Sequence, residues 1–187
     1  MDHTKEKKPI ILIGMPACGK STVGVLLAKR LGYRFVDSDL VIQETEGRLL
    51  HELIESEGVD GFIAIEERVN LSLGTKDDPW VIATGGSAVY SERAMAHFRE
   101  IGTVVYIKLS LGTVRRRLGN FSHRGVVMPE GYTLRRLYDE RCALYERYAD
   151  IVLDEEIGED GRRQRRTMGQ TLDALCDALG VSDVPSP

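Results

Sequence analysis

The sequence has no long apolar run; its most hydrophobic stretches, such as Ile10–Ile13, stop after a few residues. A membrane span needs roughly 20 consecutive apolar residues, so an integral membrane protein is excluded. Residues 1–9 carry charge but no apolar segment follows them, which argues against a secretory signal. Cysteine is sparse: Cys18, Cys142 and Cys176 are odd in number and widely spaced, which excludes a disulfide framework and points to a reducing cytoplasm. The single tryptophan, Trp80, opens an apolar segment and reads as core. Neither sign of charge dominates, since 25 Lys and Arg face 29 Asp and Glu for a net −4. That balance excludes a nucleic-acid coat and an acidic disordered tail. The one basic run, Arg162-Arg163-x-Arg165-Arg166, reads as a solvated loop or a nucleotide-proximal segment. His3, His51, His97 and His123 show no metal-ligand spacing. Repeats, low-complexity tracts and composition breaks are also missing, so 187 residues are read as one domain, 1–187, with its core over 9–179.

What is present is an alternation of short β-branched runs with longer helical patterns. Ile10–Ile13, Phe35–Asp37, Trp80–Ala83, Val104–Leu109 and Asp150–Leu153 are predicted strands, apolar through their middles as in a sheet covered on both faces. Helices are predicted over Lys20–Leu31, Leu49–Glu57, Gly61–Leu73, Ser91–Glu100, Leu111–Leu118, Thr133–Tyr148 and Met168–Leu179. This βαβα order implies an α/β fold with a parallel sheet between helical layers. Gly119–Gly131, with three glycines and a proline between Arg-rich helices, is a long loop of the kind that carries function.

Gly14-Met15-Pro16-Ala17-Cys18-Gly19-Lys20-Ser21 fits G-x-x-x-x-G-K-[ST] at every fixed position, after a strand and at the start of a helix. Glycines let consecutive N–H groups turn toward phosphate oxygens, and the helix N-terminus adds its positive dipole end. Lys20 is suited to the β- and γ-phosphates and the Ser21 hydroxyl to Mg²⁺. The chain therefore reads as a binder of a nucleoside triphosphate. Cys18 within the loop is read as filler, with a redox role left open.

No Asn-Lys-x-Asp guanine-reading motif occurs, which argues against a GTPase. After the second strand come Asp37-Ser38-Asp39; alternation puts the two carboxylates on one side of an extended segment, where they can serve Mg²⁺ or orient a hydroxyl. The alternative is that one of them caps a helix starting near Leu40. Ala83-Thr84-Gly85-Gly86-Ser87 ends the third strand, and its paired glycines permit close approach of a ligand. Arg117, Arg124 and Arg141 frame the long loop, apt for cations on a phosphoryl group and a closing lid.

The order Gly-x-x-x-x-Gly-Lys-Ser-Thr, Asp-Ser-Asp, Gly-Phe-x-x-x-Glu, Ala-Thr-Gly-Gly, Arg-x₆-Arg and Glu-Arg-x-x-Leu-Tyr resembles the shikimate kinase family from about Pro9 to Leu153. The resemblance implies a P-loop nucleoside-monophosphate-kinase-like fold: three layers, a five-stranded parallel sheet in order 2-3-1-4-5, and a mobile lid at about 119–131. It implies ATP and Mg²⁺, and transfer of phosphate to shikimate or a related polyol, by a cytoplasmic monomer with no nucleic-acid or membrane partner. Gly14, Ala17, Cys18, Gly19, Lys20, Ser21 and Thr22 would hold the nucleotide. Arg117 would lie over the adenine and Arg124 would close onto the phosphates. Ser21 and Asp37 would serve the metal, Asp37 indirectly. Lys20, Asp39 and Arg124 would be catalytic, with Asp39 the base on the acceptor hydroxyl. Asp39, Phe62, Glu66, Gly85, Gly86, Ser87 and Arg141 would form the acceptor site.

The family pattern breaks at three places. Its Gly-x-Phe-Arg-x-x-Glu arginine is Ile63 here, between the matching Phe62 and Glu66. Losing that charge-assisted bond to an acceptor carboxylate costs about 1.5–3 kcal/mol and leaves Glu66 an acidic group facing the pocket. Arg68, five residues on, lies off that helical face. Ser87 stands where the family has a third glycine, and the chain after Leu153 does not match the usual adenine loop. Three readings follow: a shikimate kinase, a related kinase with a different small acceptor, or a nucleotide-binding module without catalysis.

Overall fold

The computed structural model describes residues 7–119, 125–156 and 164–181. In chain order the elements are β1 (Ile10–Ile13), α1 (Lys20–Leu31), β2 (Arg34–Asp37), α2 (Ser38–Glu46), α3 (Leu50–Leu71), β3 (Trp80–Ala83), α4 (Glu92–Ile101), β4 (Thr103–Lys108), α5 (Leu111–Leu118), α6 (Leu134–Tyr148), β5 (Ile151–Asp154) and α7 (Met168–Leu179), with a short 3₁₀ turn at Ala88–Tyr90 before α4. The strands form one parallel sheet in the order β2-β3-β1-β4-β5, the order that the family resemblance implies. No helix among the described residues is long and apolar enough to cross a membrane.

Apolar burial on both faces explains why β1 reads as an unbroken hydrophobic run. All four of its residues are buried, and Ile11, Leu12 and Ile13 have no exposed surface. Each such side chain contributes about 1.5–3 kcal/mol by leaving water. Val81, Ile82, Val104, Val105 and Ile107 extend this core sideways, with Leu27 of α1, Phe98 of α4 and Leu175 of α7 packing over it. A second, smaller cluster of Ile42, Leu53, Phe62, Val69 and Val127 packs α2 against α3.

Two differences from the sequence reading have local causes. Residues Ser38–Glu46 form α2, directly after β2, so Asp37 and Asp39 do not share an extended segment. Asp37 is the N-cap: its Oδ1 accepts from Asp39 N at 3.1 Å, the capping alternative made real. The two helices expected over Leu49–Glu57 and Gly61–Leu73 run together as α3, interrupted at Gly58, which takes φ 70°, ψ −177°. That conformation is open to glycine and strained for other residues.

Pairing sets the level of the strand ends. Asp37 is paired with Ala83 across β2 and β3, and Ala83 with Leu12 across β3 and β1. The loops after β1, β2 and β3 thus open at the same carboxyl edge, where open α/β sheets hold ligands.

Candidate functional site

The loop after β1 is built from backbone turns that favour small residues. Gly14 takes φ 147°, Ala17 φ 63° and Gly19 φ 107°, and Ala17 is the one non-glycine residue with positive φ among those described. A Cβ on Gly14 would stand 2.7 Å from the Ile107 carbonyl oxygen, so this turn is pressed against β4. Gly19 leads directly into α1, whose first N–H groups are without helical partners and face incoming anions.

Lys20 folds back over the loop: its buried Nζ donates to Gly14 O at 2.9 Å and Met15 O at 3.1 Å. Arg117 of α5 ties the loop from the other side, Nη1 donating to Ala17 O at 3.1 Å and Cys18 O at 3.0 Å. Ser21 and Thr22 remain exposed on the first turn of α1.

A cavity of about 580 Å³ joins this loop to the ends of β2 and β3. The nucleotide residues expected from sequence, Ala17 through Thr22 and Arg117, line it, and so do the acceptor residues Asp39, Phe62, Gly85, Gly86, Ser87 and Arg141. Gly14 is not in its wall and serves the turn out of β1. Asp37 is also absent from the wall, with one oxygen used in capping α2. Arg124 lies outside the described residues, as do residues 120–123 before it. Arg165, one of the basic run, lines the nucleotide end together with Glu155 and Met168.

Positive φ at three loop positions, a helix N-terminus and a neighbouring lysine fit a triphosphate. Among the described residues no group of three or more His, Cys, Asp or Glu side chains is placed to hold a metal. Such a site suits Mg²⁺ carried largely by phosphates and water, as this ion prefers, and the exposed Ser21 hydroxyl is the protein group that would contact it.

On the acceptor side Asp39 sits in the first turn of α2, half-buried. Burial first, then the Asp37 charge, pushes its carboxyl up to about 6, against the pull of Lys20. Ser38, between the two aspartates, is fully buried and its hydroxyl accepts from Gly85 N at 2.9 Å.

Glu66 does not face the pocket as expected from sequence. It is 1% exposed and lies against Gly85, where a Cβ would overlap Glu66 Oε1 and stand 2.8 Å from Asp39 Oδ1. The reason is that α3 packs Phe62 and Val69 inward with the second cluster, which carries Glu66 under the glycine loop. Burial pushes its carboxyl up to about 7; Asp39 adds to this, while Ser87, Arg141 and Lys20 oppose it. Ser87 is near enough to act on this charge, yet neither Glu66 oxygen has a hydrogen bond of good geometry among the described residues. Ile63 is half-buried and not in the cavity wall, and Arg68 pairs with Glu46 at the surface.

Arg141 is fully buried. Its Nη2 donates to the Val127 carbonyl at 2.5 Å and its Nε to the Tyr90 hydroxyl at 3.3 Å. Nη1 has no partner among the described residues and lies near Gly86, where a Cβ would come within 3.1 Å of it. Two supporting residues were given no role from the sequence, although Tyr145 ends the Glu-Arg-x-x-Leu-Tyr motif. Tyr145, one turn after Arg141 on α6, donates to Gly86 O at 2.6 Å, and that i, i+4 spacing was the available signal. Val127, which accepts from Arg141 through its backbone, had no signal at all.

Comparison with known proteins agrees with this geometry. A family model described as Shikimate kinase matches residues 16–175. Shikimate kinase 2 of Yersinia pseudotuberculosis serotype O:3 (strain YPIII) is 43% identical over 109 residues, 58% of this chain and 62% of that protein, so the match spans less than two thirds of the relative. The shikimate kinase of Paracidovorax citrulli (strain AAC00-1) is 38% identical over 154 residues, 81% of this chain and 84% of that protein. Among solved structures, shikimate kinase from Acinetobacter baumannii in complex with shikimate superposes with a TM-score of 0.78 at 28% identity, covering 92% of this chain and 93% of that one. Shikimate kinase from Aquifex aeolicus does so with a TM-score of 0.75 at 28% identity, covering 92% and 96%.

Proposed function

The chain belongs to the shikimate kinase family, and on that premise we propose that it transfers a phosphoryl group from ATP to a hydroxyl of a small cyclic polyol acid, with shikimate the reference acceptor. The observation that carries this reading is the single cavity in which the phosphate loop, Asp39 and the unpartnered Nη1 of Arg141 meet. A buried guanidinium with a spare donor is suited to an acceptor carboxylate, and the Acinetobacter relative is described in complex with shikimate, which bears one.

ATP, held with Mg²⁺ at the loop and Ser21, supplies the phosphoryl group when bound. The chain's own residues do the rest. Lys20, which now holds loop carbonyls, is the cation for the β- and γ-phosphates. Arg117 keeps the loop in shape for them. Gly85 and Gly86 offer backbone where the acceptor ring must come close, and Arg141 fixes its carboxylate. Asp39 takes the proton of the attacking hydroxyl, a task suited to a carboxyl held near 6.

A different acceptor is the second reading, favoured by the apolar Ile63 and by a buried Glu66 with no cation bonded to it. The test is coupled ADP release with shikimate, quinate, gluconate and other cyclic polyols, for the native chain and for Ile63→Arg. Turnover best with shikimate supports the first reading. Turnover of another polyol, with the shikimate KM improved about ten- to a hundredfold by Ile63→Arg, supports the second. ATP binding without turnover of any acceptor leaves a nucleotide-binding module.

A further inference from the structure

Four buried polar atoms on α3 lack a hydrogen-bond partner among the described residues: both carboxylate oxygens of Glu66 and both amide atoms of Asn70. Glu66 is 1% exposed and Asn70 is not exposed at all. The two are one turn apart in the stretch of α3 after Gly58, so their side chains share a face with Cβ atoms about 5–6 Å apart. Buried polar groups are satisfied in roughly 90% of cases or more. Two such neighbours on one helix face are within reach of each other's missing bond.

On its own helix the other candidates for Glu66 are accounted for. Ile63, a turn before it, is apolar; Arg68 pairs with Glu46; and Glu67 is held by Ser91 and Arg93. Asn70 uses its backbone carbonyl for Leu73 N at 3.2 Å, which leaves its side chain uncommitted. A rotamer change at either residue, or one buried water between them, closes the pair.

We infer that Asn70 is the hydrogen-bond partner of Glu66, a neutral amide in place of the cation that the family pattern puts at position 63, and that through Glu66 it positions Gly85 and Asp39 for the acceptor. An amide suits this place because its Nδ2 donates to a carboxylate, which favours the ionised form of Glu66. The groups facing Glu66 are Asp39 of α2, Lys20 of α1, Arg141 of α6 and the Ser87 hydroxyl. The first raises its pKa and the other three lower it, so a neutral donor added from α3 tips the ionised fraction near neutral pH. Asn70 is a positioning residue: it does not line the cavity.

The pair itself is read without any substrate; only its effect on the acceptor rests on the function proposed above. The experiment is a carboxyl ¹³C titration of glutamate-labelled protein, with Glu66 assigned by the resonance lost in Glu66→Gln. Asn70→Leu is expected to raise the Glu66 midpoint by about one unit, the loss of one hydrogen bond to a charged group. Ile63→Arg is expected to lower the midpoint and to reduce the effect of Asn70→Leu to less than half. Should Asn70→Leu not fold, Asn70→Asp takes its place, and its like charge is expected to raise the midpoint further. In the same variants the acceptor KM is expected to rise at pH 7 and recover by pH 9, with kcat little changed. A midpoint that stays put in the folded variant overturns the inference, even if turnover is normal. Midpoints that move as expected while no acceptor turns over uphold the pair and reject the kinase reading instead.

Discussion

Gly85 and Glu66 touch with no room for a side chain between them, although they lie on different elements, one after β3 and the other in the middle of α3. Gly85 is tied in place by Ser38, whose hydroxyl accepts from its N–H at 2.9 Å. The acceptor end of the cavity therefore depends on a backbone approach that only glycine permits. Overpacking of this kind costs about 1–3 kcal/mol. Gly85→Ala is expected to lower acceptor kcat/KM by about 10–100-fold, while calorimetry shows ATP affinity unchanged within about twofold. Loss of ATP binding together with turnover would show that Gly85 serves the whole fold and not the acceptor end.

Asp39, the proposed base, can take a proton only when ionised, and its carboxyl is held up to about 6 by burial and by Asp37. The acceptor-dependent rate is expected to fall as pH drops through that value. Asp37→Asn keeps a good N-cap for α2 and removes the neighbouring charge. Its acid limb should move to lower pH, which a pH–rate profile of both proteins would reveal.

Glu66 gives a stability prediction of opposite sense to the usual carboxylate. Its pKa is raised from 4.5 in the unfolded chain to about 7 in the folded one. The folded state thus binds more protons between those values, and stability falls as pH rises through them. Glu66→Gln removes the charge and keeps the shape. Thermal unfolding should show the variant gaining on the native protein at pH 8 and not at pH 4. An equal gain at both values would mean that charge burial is not the cause.

Ala17 holds φ 63° in the phosphate loop, a region that costs a residue with a Cβ about 1–2 kcal/mol. Ala17→Gly relieves this, less the greater freedom glycine has when unfolded. The expected net gain is about 0.5–1 kcal/mol in chemical denaturation, with ATP affinity retained. A destabilised variant would mean that the methyl group's packing outweighs the strain.

Much of this architecture was legible in the chain, and for identifiable reasons. Strand β1 is four consecutive buried aliphatic residues, and the glycine-lysine-serine run follows it at once, so strand, turn and helix start declare themselves. Gly85 and Gly86 read as points of close approach, although a plain turn has the same signature and only the family motif decided between them. The aspartates were harder. Alternation treated Asp37 and Asp39 as equals on an extended segment, but capping is a local competition that Asp37 wins, and only Asp39 reaches the cavity. Glu66 was misjudged for a different reason. Its burial comes from how α3 meets Gly85 after the chain has travelled through β3, and no local pattern records that meeting. Asn70 drew no notice, since an asparagine in a helix says nothing until its burial is known.

The ladder that pairs Asp37 with Ala83 and Ala83 with Leu12 has a consequence for how such a protein changes over time. Parts that move phosphate are pinned to strand termini by main-chain bonding, which substitution of side chains leaves intact. The groups proposed to discriminate between alcohols hang on α3 and α6, where they are held by side chains and can be exchanged without undoing that ladder. A lineage can in this way try new diets without relearning how to handle its fuel.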